Sequence, residues 1–244
     1  MKTILITGAS SGIGRCTAEL FLNNGWQVGV LARRAGPLQE LADHYDAAIP
    51  LVADVTDPTA VEKAFATLVA KTGRLDVLFN NAGISTPSGT IDEIELEHWN
   101  SAIAVNLTGM FLAARFAFAA MRAQNPQGGR IINNGSISAH VPRPGSIAYT
   151  ATKHAVTGIT RTLSLDGRPF DIACGQIDIG NALTPMVENM NKKILADNPN
   201  AKVQQSMDVA EAANSVFYMA GLPLSANVQF MTVMATKMPY IGRG

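Results

Sequence analysis

The stretch KTILITGASSGIG, residues 2–14, decides how the rest of the chain is read. Residues 2–7 are a short apolar, β-branched run of the kind that forms a buried strand. TGASSGIG follows at 7–14 without a break, and helical spacing of apolar positions runs over 13–23. Strand, glycine-rich turn and helix in immediate succession give the glycines a physical meaning: without a Cβ they let backbone N–H groups approach a pyrophosphate at the positive end of a helix. Gly8, Ser10, Ser11, Gly12, Ile13 and Gly14 are the expected phosphate-binding residues. A glycine turn with only a packing role is the bland alternative, and the strand-turn-helix context argues against it.

Outward from this unit the chain alternates. Apolar runs at 27–31, 48–53, 75–79, 129–135, 171–177 and 228–233 read as further strands, and 58–71, 96–121, 148–165, 187–200 and 208–219 carry helical spacing. Such alternation predicts an α/β protein: a single-domain Rossmann fold whose doubly wound parallel sheet has about seven strands and helices on both faces. A length of 244 residues with 47% hydrophobic content suits one domain over 1–244. No repeat, low-complexity segment or linker divides it. The weak helix and polar loop within 184–205 are expected to form a substrate-binding lid, and the tail at 238–244 to reach a neighbouring subunit or fray.

Composition excludes several function classes. Formal net charge is zero with no run of like charges, so neither a nucleic acid backbone nor a membrane surface is an expected partner. Cys16 and Cys174 make no disulfide framework, and His44, His98, His140 and His154 lack metal-ligand spacing, so no metal site is expected. The apolar stretch at 102–121 is interrupted by Asn106 and Arg115 and reads as a buried helix. The N-terminal apolar run is too short for a secretory signal, which makes a cytoplasmic protein the expectation. The charged fraction, 16% against an average near ~25%, leaves less polar surface than a monomer usually has and points to subunit contacts.

Two further stretches carry chemistry. At the end of the second expected strand, Ala32 stands where a dinucleotide fold usually places an acid for the ribose hydroxyls, and Arg33 and Arg34 follow it. Guanidinium groups there accommodate a 2'-phosphate, so NADP(H) is favoured over NAD(H). Two merely solvated arginines are the alternative. In SISAHVPRPGSIAYTATK, residues 136–153, Tyr149 and Lys153 lie four apart at the start of a helix and share a face. A phenol titrates near ~10 in water, and an ammonium about 4 Å away at an effective dielectric near ~20 contributes on the order of 4 kcal/mol toward its anion. Tyrosine can then act as a general acid/base near neutral pH. Ser136, at the end of an apolar run, supplies a hydroxyl for the same site, with Ser138 as its competitor. Tyr and Lys at this spacing are weak as a motif by themselves; the surrounding set gives them weight.

That set resembles the short-chain dehydrogenase/reductase family over nearly the whole chain: TGxxxGxG at 7–14, NNAG at 80–83, AVNLTG at 104–109, and Ser136 thirteen residues ahead of Tyr149 and its Lys153. The resemblance implies the catalytic residues Asn106, Ser136, Tyr149 and Lys153. Asn106 would lie in a locally distorted helix whose backbone carbonyl holds a water linked to the lysine. It also implies cofactor contacts from Asp54 and Val55 near the adenine, from Asn81, Ala82 and Gly83 along the dinucleotide, from Lys153 and Tyr149 at the nicotinamide ribose, and from Gly180, Ala182 and Thr184. Where the family has Pro-Gly, this chain has Ile179-Gly180, with the glycine and Thr184 in register. On the residues alone, Asp54 could equally be a helix cap and Asn106 a satisfied buried amide.

The expectation is an NADP(H)-dependent oxidoreductase that moves a hydride between nicotinamide and a small carbonyl compound or secondary alcohol, assembled as a tetramer or dimer. Alternatives are an NAD(H)-dependent alcohol dehydrogenase, a catalytically inactive nucleotide-binding regulator, and an epimerase or dehydratase that keeps its cofactor bound. Ile84, Val141, Pro142, Met186 and Met190 are expected around the substrate and point to a modest apolar ketone or aldehyde. His140 is placed either at the substrate mouth or in an exposed loop.

Overall fold

Thr3–Thr7 (β1) pairs in parallel with Gln27–Ala32 (β2) on one side and Val77–Asn80 (β4) on the other. Ala48–Val52 (β3) adds beyond β2, while Gly129–Asn134 (β5), Ile172–Gly180 (β6) and Phe230–Met234 (β7) continue beyond β4. The sheet of this computed structural model is seven-stranded and wholly parallel, in the order β3-β2-β1-β4-β5-β6-β7. The described residues are 1–199, 201, 203 and 205–241. Strand order reverses at β1, so the chain leaves β1 and β4 in opposite directions and opens a crevice at their C-terminal ends, where open α/β sheets bind ligands.

Both faces are covered, which is why the central strands read as unbroken apolar runs. One layer packs Gly12–Asn23 (α1) and Val209–Gly221 (α8) on the sheet, with Phe21 meeting the edges of Trp26 and Phe217 at ring-centroid distances of 5.0 Å. The other packs Pro58–Thr72 (α3) and Met110–Ala123 (α5) through Val61, Phe65, Leu68, Ala113, Ala117 and Met121. Leu96–Ala102 (α4), a π-helix at Ile103–Gly109 and α5 form one 28-residue run. An 18-residue window within it has a mean hydropathy of 1.6, which would suit a membrane span, but the run packs against α3 and the sheet as a core element.

Several boundaries differ from the sequence expectation. Ala35–His44 (α2) was not legible: its buried stripe is only Leu38 and Leu41, and Gly36-Pro37 in its first turn reads as a loop. β6 continues past 177 to Gly180, in register with β7 through Ile179 and Val233. A proline at 179 would remove a backbone donor there, whereas β-branched isoleucine favours an extended strand. Ile147–Asp166 (α6) and Pro185–Asp197 (α7) fall close to their expected spans. Of the expected lid, residues 200, 202 and 204 lie outside the described residues, as do 242–244 of the tail.

Candidate active site

The phosphate-loop stretch leaves β1 directly into α1. Gly8 and Gly12 have φ of +70° and +54°, a region side chains disfavour. A Cβ on Gly14 would collide with the carbonyl oxygen of Gly8 and come within 2.7 Å of the Asn81 amide nitrogen. The loop is held from below by Thr7, whose hydroxyl accepts from the Asn81 and Ala82 N–H groups, each at 2.9 Å, while Asn81 Nδ2 donates to Thr7 O at 2.9 Å. Asn134 at the end of β5 donates to Asn81 Oδ1 at 2.9 Å, tying three strand ends together.

A cleft of about 400 Å³ runs along this edge. Gly8, Ser10, Ser11, Gly12 and Ile13 line one stretch of it, and Asn81, Ala82 and Gly83 another. Arg33, Arg34, Asp54 and Val55 line it as well, and it extends to Tyr149, Lys153 and Thr184. Arg34 Nη2 donates to Ser10 Oγ at 3.1 Å, and Arg33 Nη1 lies 3.8 Å from Asp54 Oδ2 with its side chain 69% exposed. Both guanidiniums therefore border the cleft. Asp54 does not cap the following helix. It accepts from Thr56 N and Thr56 Oγ1 at 2.9 Å, and Asp57 caps α3 through Thr59 N and Ala60 N. Three features fit a bound dinucleotide: the cradle that a side chain at 14 would fill, the two arginines, and a buried Asn134 Oδ1 with no hydrogen-bond partner among the described residues.

The expected catalytic set is brought together. Lys153 is buried and donates to Asn134 O at 2.8 Å, with its ammonium 5.5 Å from the centroid of the Tyr149 ring. Tyr149 lines both the cleft and an adjoining cavity of about 310 Å³. Ser136 and Ser138 line that cavity too, and Ser138 N donates to Ser136 Oγ at 3.1 Å. Asn106 lies in the π-helix, fully buried, and its side chain clamps Ile84 by accepting from Ile84 N at 2.8 Å and donating to Ile84 O at 3.0 Å. The family's distorted helix is present at the expected position. Thr184 caps α7 and, with Ala182, lines the cavity, while Gly180 ends β6 where a Cβ would press on Met234.

Two expectations are corrected. Val141 and Pro142 do not line the cavity, and Ile84 belongs to the cofactor cleft. Met186 and Met190 are joined by Ser85, Thr86, Ser88, Ser146 and Arg143, so the wall is part apolar and part polar. His140 lines neither; its Nε2 is 2.8 Å from Oδ2 of fully buried Asp178, whose Oδ1 accepts from Ser136 N at 2.9 Å and Gln176 Nε2 at 2.8 Å. Asp178 was missed by sequence reasoning. Burial pushes the Cys174 thiol up to about 12, and burial followed by Glu19 and Asp208 raises that of half-buried Cys16. No group of metal-ligating side chains occurs among the described residues.

Residues 2–195 match the family model described as short chain dehydrogenase. The chain is 33% identical over 230 residues to 2-(R)-hydroxypropyl-CoM dehydrogenase of Xanthobacter autotrophicus, spanning 90% of this chain and 91% of that protein. It superposes on a closed form of serine dehydrogenase complexed with NADP+ with a TM-score of 0.89 at 26% identity, covering 99% of this chain and 98% of the other. Against a 3-ketoacyl-(acyl-carrier-protein) reductase from Brucella melitensis complexed with NADH, the TM-score is 0.87 at 26% identity, covering 97% and 98%.

Proposed function

The chain belongs to the short-chain dehydrogenase family, a hydride-transferring oxidoreductase acting on CH–OH or carbonyl groups, and from that premise we propose that it is an NADP(H)-dependent carbonyl reductase or alcohol dehydrogenase with Tyr149 as its general acid/base. The observation that carries this reading is the position of Tyr149, which borders the cofactor cleft and the adjoining cavity at once. A carbonyl compound in the cavity and a nicotinamide in the cleft would meet at that residue.

When bound, the cofactor supplies or accepts the hydride. The chain does the rest. Because Ser136 Oγ already accepts from Ser138 N, its own hydrogen is directed toward a second acceptor, the substrate carbonyl oxygen. Tyr149 delivers the proton as negative charge develops on that oxygen, and the buried Lys153 ammonium beside its ring stabilises the phenolate left behind. Lys153 holds the nicotinamide ribose from the same place. Asn106 fixes the Ile84 turn beside Gly83 and links the site to solvent through its helix distortion. Arg33 and Arg34 take the 2'-phosphate, assisted by Ser10. Gly180, Ala182 and Thr184 shape the nicotinamide end, and the described part of 184–205, chiefly α7, acts as a lid. We place the protein in the cytoplasm as a tetramer or dimer.

The test is a panel of ketones and aldehydes assayed with NADPH and with NADH. Net cofactor oxidation with a higher kcat/KM for NADPH is expected. An NADH preference refutes the cofactor assignment, and turnover without net cofactor consumption points instead to an epimerase.

A further inference from the structure

The hydride-transfer reading leaves the hydroxyl of Ser138 without a task. Ser138 lines the substrate cavity and is only 4% exposed. Its backbone N–H donates to Ser136 Oγ at 3.1 Å, but its own hydroxyl has no hydrogen-bond partner among the described residues. The turn Ile137–Ala139 that carries it is held by Ala139 N donating to Ser136 O at 2.8 Å and by Val141 N donating to Ile137 O at 3.0 Å. Ile137 and Ala139 on either side are buried and apolar, so packing gives no reason for a hydroxyl at 138. A hydroxyl enclosed by protein is costly unless it is hydrogen-bonded, and the cavity is where a partner can enter. The wall around it repeats the same chemistry. Ser85, Thr86 and Ser88 bring three more hydroxyls without partners among the described residues, on a loop fastened to the 143–146 turn by Gly89 N donating to Gly145 O at 3.1 Å. Arg143 is engaged by Asn181 Oδ1 at 3.3 Å, and Met186, Val187 and Met190 of α7 supply an apolar part of the lining.

We propose that Ser138 is a specificity-determining residue and that the substrate is a short hydroxy ketone whose hydroxyl, one or two carbons from the carbonyl carbon, bonds Ser138 Oγ. The inference rests on the oxidoreductase reading above and deepens it. Because Ser138 N bonds Ser136 Oγ, the two serines stand side by side. A carbonyl oxygen held by Ser136 therefore leaves a hydroxyl on a nearby carbon within reach of Ser138. A serine hydroxyl both donates and accepts, as a substrate hydroxyl does, whereas a carbonyl or ether oxygen would use the donor alone. An alkyl group in the same place would expel water and leave Ser138 Oγ unpaired. At about 310 Å³ the cavity is at the small end of ligand sites, which keeps the compound short. In the reducing direction, the cofactor's hydride goes to the carbonyl carbon and a proton from Tyr149 to its oxygen, giving a diol and oxidised cofactor; the reverse reaction oxidises the diol. The second hydroxyl is unchanged and orients the molecule.

The experiment measures steady-state NADPH oxidation with two isosteric pairs, 1-hydroxypropan-2-one against butan-2-one and 4-hydroxybutan-2-one against pentan-2-one, on the wild-type enzyme and on Ser138→Ala and Ser138→Thr. Each pair exchanges a hydroxyl for a methyl. The wild type should favour the hydroxy ketone of at least one pair by about tenfold or more in kcat/KM. The intrinsic reactivity of each ketone is the same for every variant, so a change in that ratio reports on Ser138. Ser138→Ala should lower the ratio by about tenfold, chiefly through KM for the hydroxy ketone, and Ser138→Thr should keep part of it. Equal or better turnover of the methyl compound in both pairs by the wild type overturns the proposal while leaving the oxidoreductase reading intact. So does an unchanged ratio in Ser138→Ala, whether activity on the two ketones persists or falls alike. Failure of the wild type to reduce any carbonyl removes both readings. If Ser138→Ala does not fold, Ser138→Gly is read by the same ratio.

Discussion

Asp178 has no exposed surface, yet its carboxylate collects three donors: Ser136 N, Gln176 Nε2 and His140 Nε2. A buried carboxylate is tolerated when its lone pairs are filled in this way, and here one of the bonds fixes the backbone of the serine assigned to the substrate oxygen. Asp178→Ala leaves the buried Ser136 N–H without its acceptor and Gln176 Nε2 with only Thr157 Oγ1, 3.1 Å away. It should destabilise the protein by about 2–4 kcal/mol in urea unfolding and lower kcat by about tenfold to a hundredfold through misplacement of Ser136, with NADPH affinity changed less. A wild-type kcat would remove Asp178 from the positioning of the site. At this scale the sequence was legible where chemistry and spacing coincide. Ser136, Tyr149 and Lys153 are recognisable because a phenol acting near neutral pH needs a cation in reach, and the structure brings Tyr149 and Lys153 together. Asp178 carries no such spacing; Ser136 N and His140 Nε2, which meet its carboxylate, are 42 and 38 positions away in the chain.

Elements are aligned by polar side chains that reach across the sheet. Asn80 donates to Met110 O at 2.7 Å where the π-helix passes into α5, and Asn133 donates to Thr160 on α6 at 3.0 Å. Arg130 does the same at the other end of β5. Only 1% exposed, its guanidinium donates to the carbonyls of Leu222, Pro223 and Ala226 and to Asn227 Oδ1, fastening the connection between α8 and β7. Burial lowers its pKa from the ordinary value, the direction expected when a cation is taken out of water. Arg130→Ala should cost about 2–4 kcal/mol of stability, since four charge-assisted bonds disappear while the carbonyls regain water only in part. Unfolding within about 0.5 kcal/mol of wild type would show the clamp to be idle. The strands were readable from unbroken apolar runs, and the change from α to π geometry was foreseen only through family resemblance, because apolar spacing over 96–121 gives no sign of it. α2 stayed hidden because two buried leucines are too few to set a period.

Across the whole molecule, the reversal of strand order at β1 gathers the phosphate loop, the NNAG turn, Asn134 and the start of α6 at one edge of the sheet. That arrangement follows from the alternation of strands and helices and was legible from the outset. The composition of the substrate cavity was not, because its wall is assembled from loops at 85–88, 143–146 and 181–184 and from the start of α7, which meet only in three dimensions. Outer faces of α4, α5 and α6 leave Leu96 71%, Phe111 50% and Leu165 57% exposed, an apolar surface in keeping with subunit contacts. With a chain mass of 25.8 kDa, light scattering should return a tetramer or dimer, and a monomeric mass would rule the assembly out. The central claim, that the Tyr149 hydroxyl exchanges the proton beside a bound nicotinamide, is tested most directly by Tyr149→Phe. Its steady-state NADPH oxidation with a carbonyl substrate should fall by about a hundredfold or more while NADPH binding, followed by fluorescence, stays within a few-fold of wild type. Turnover within about tenfold of wild type, below the contribution expected of a general acid, would contradict it.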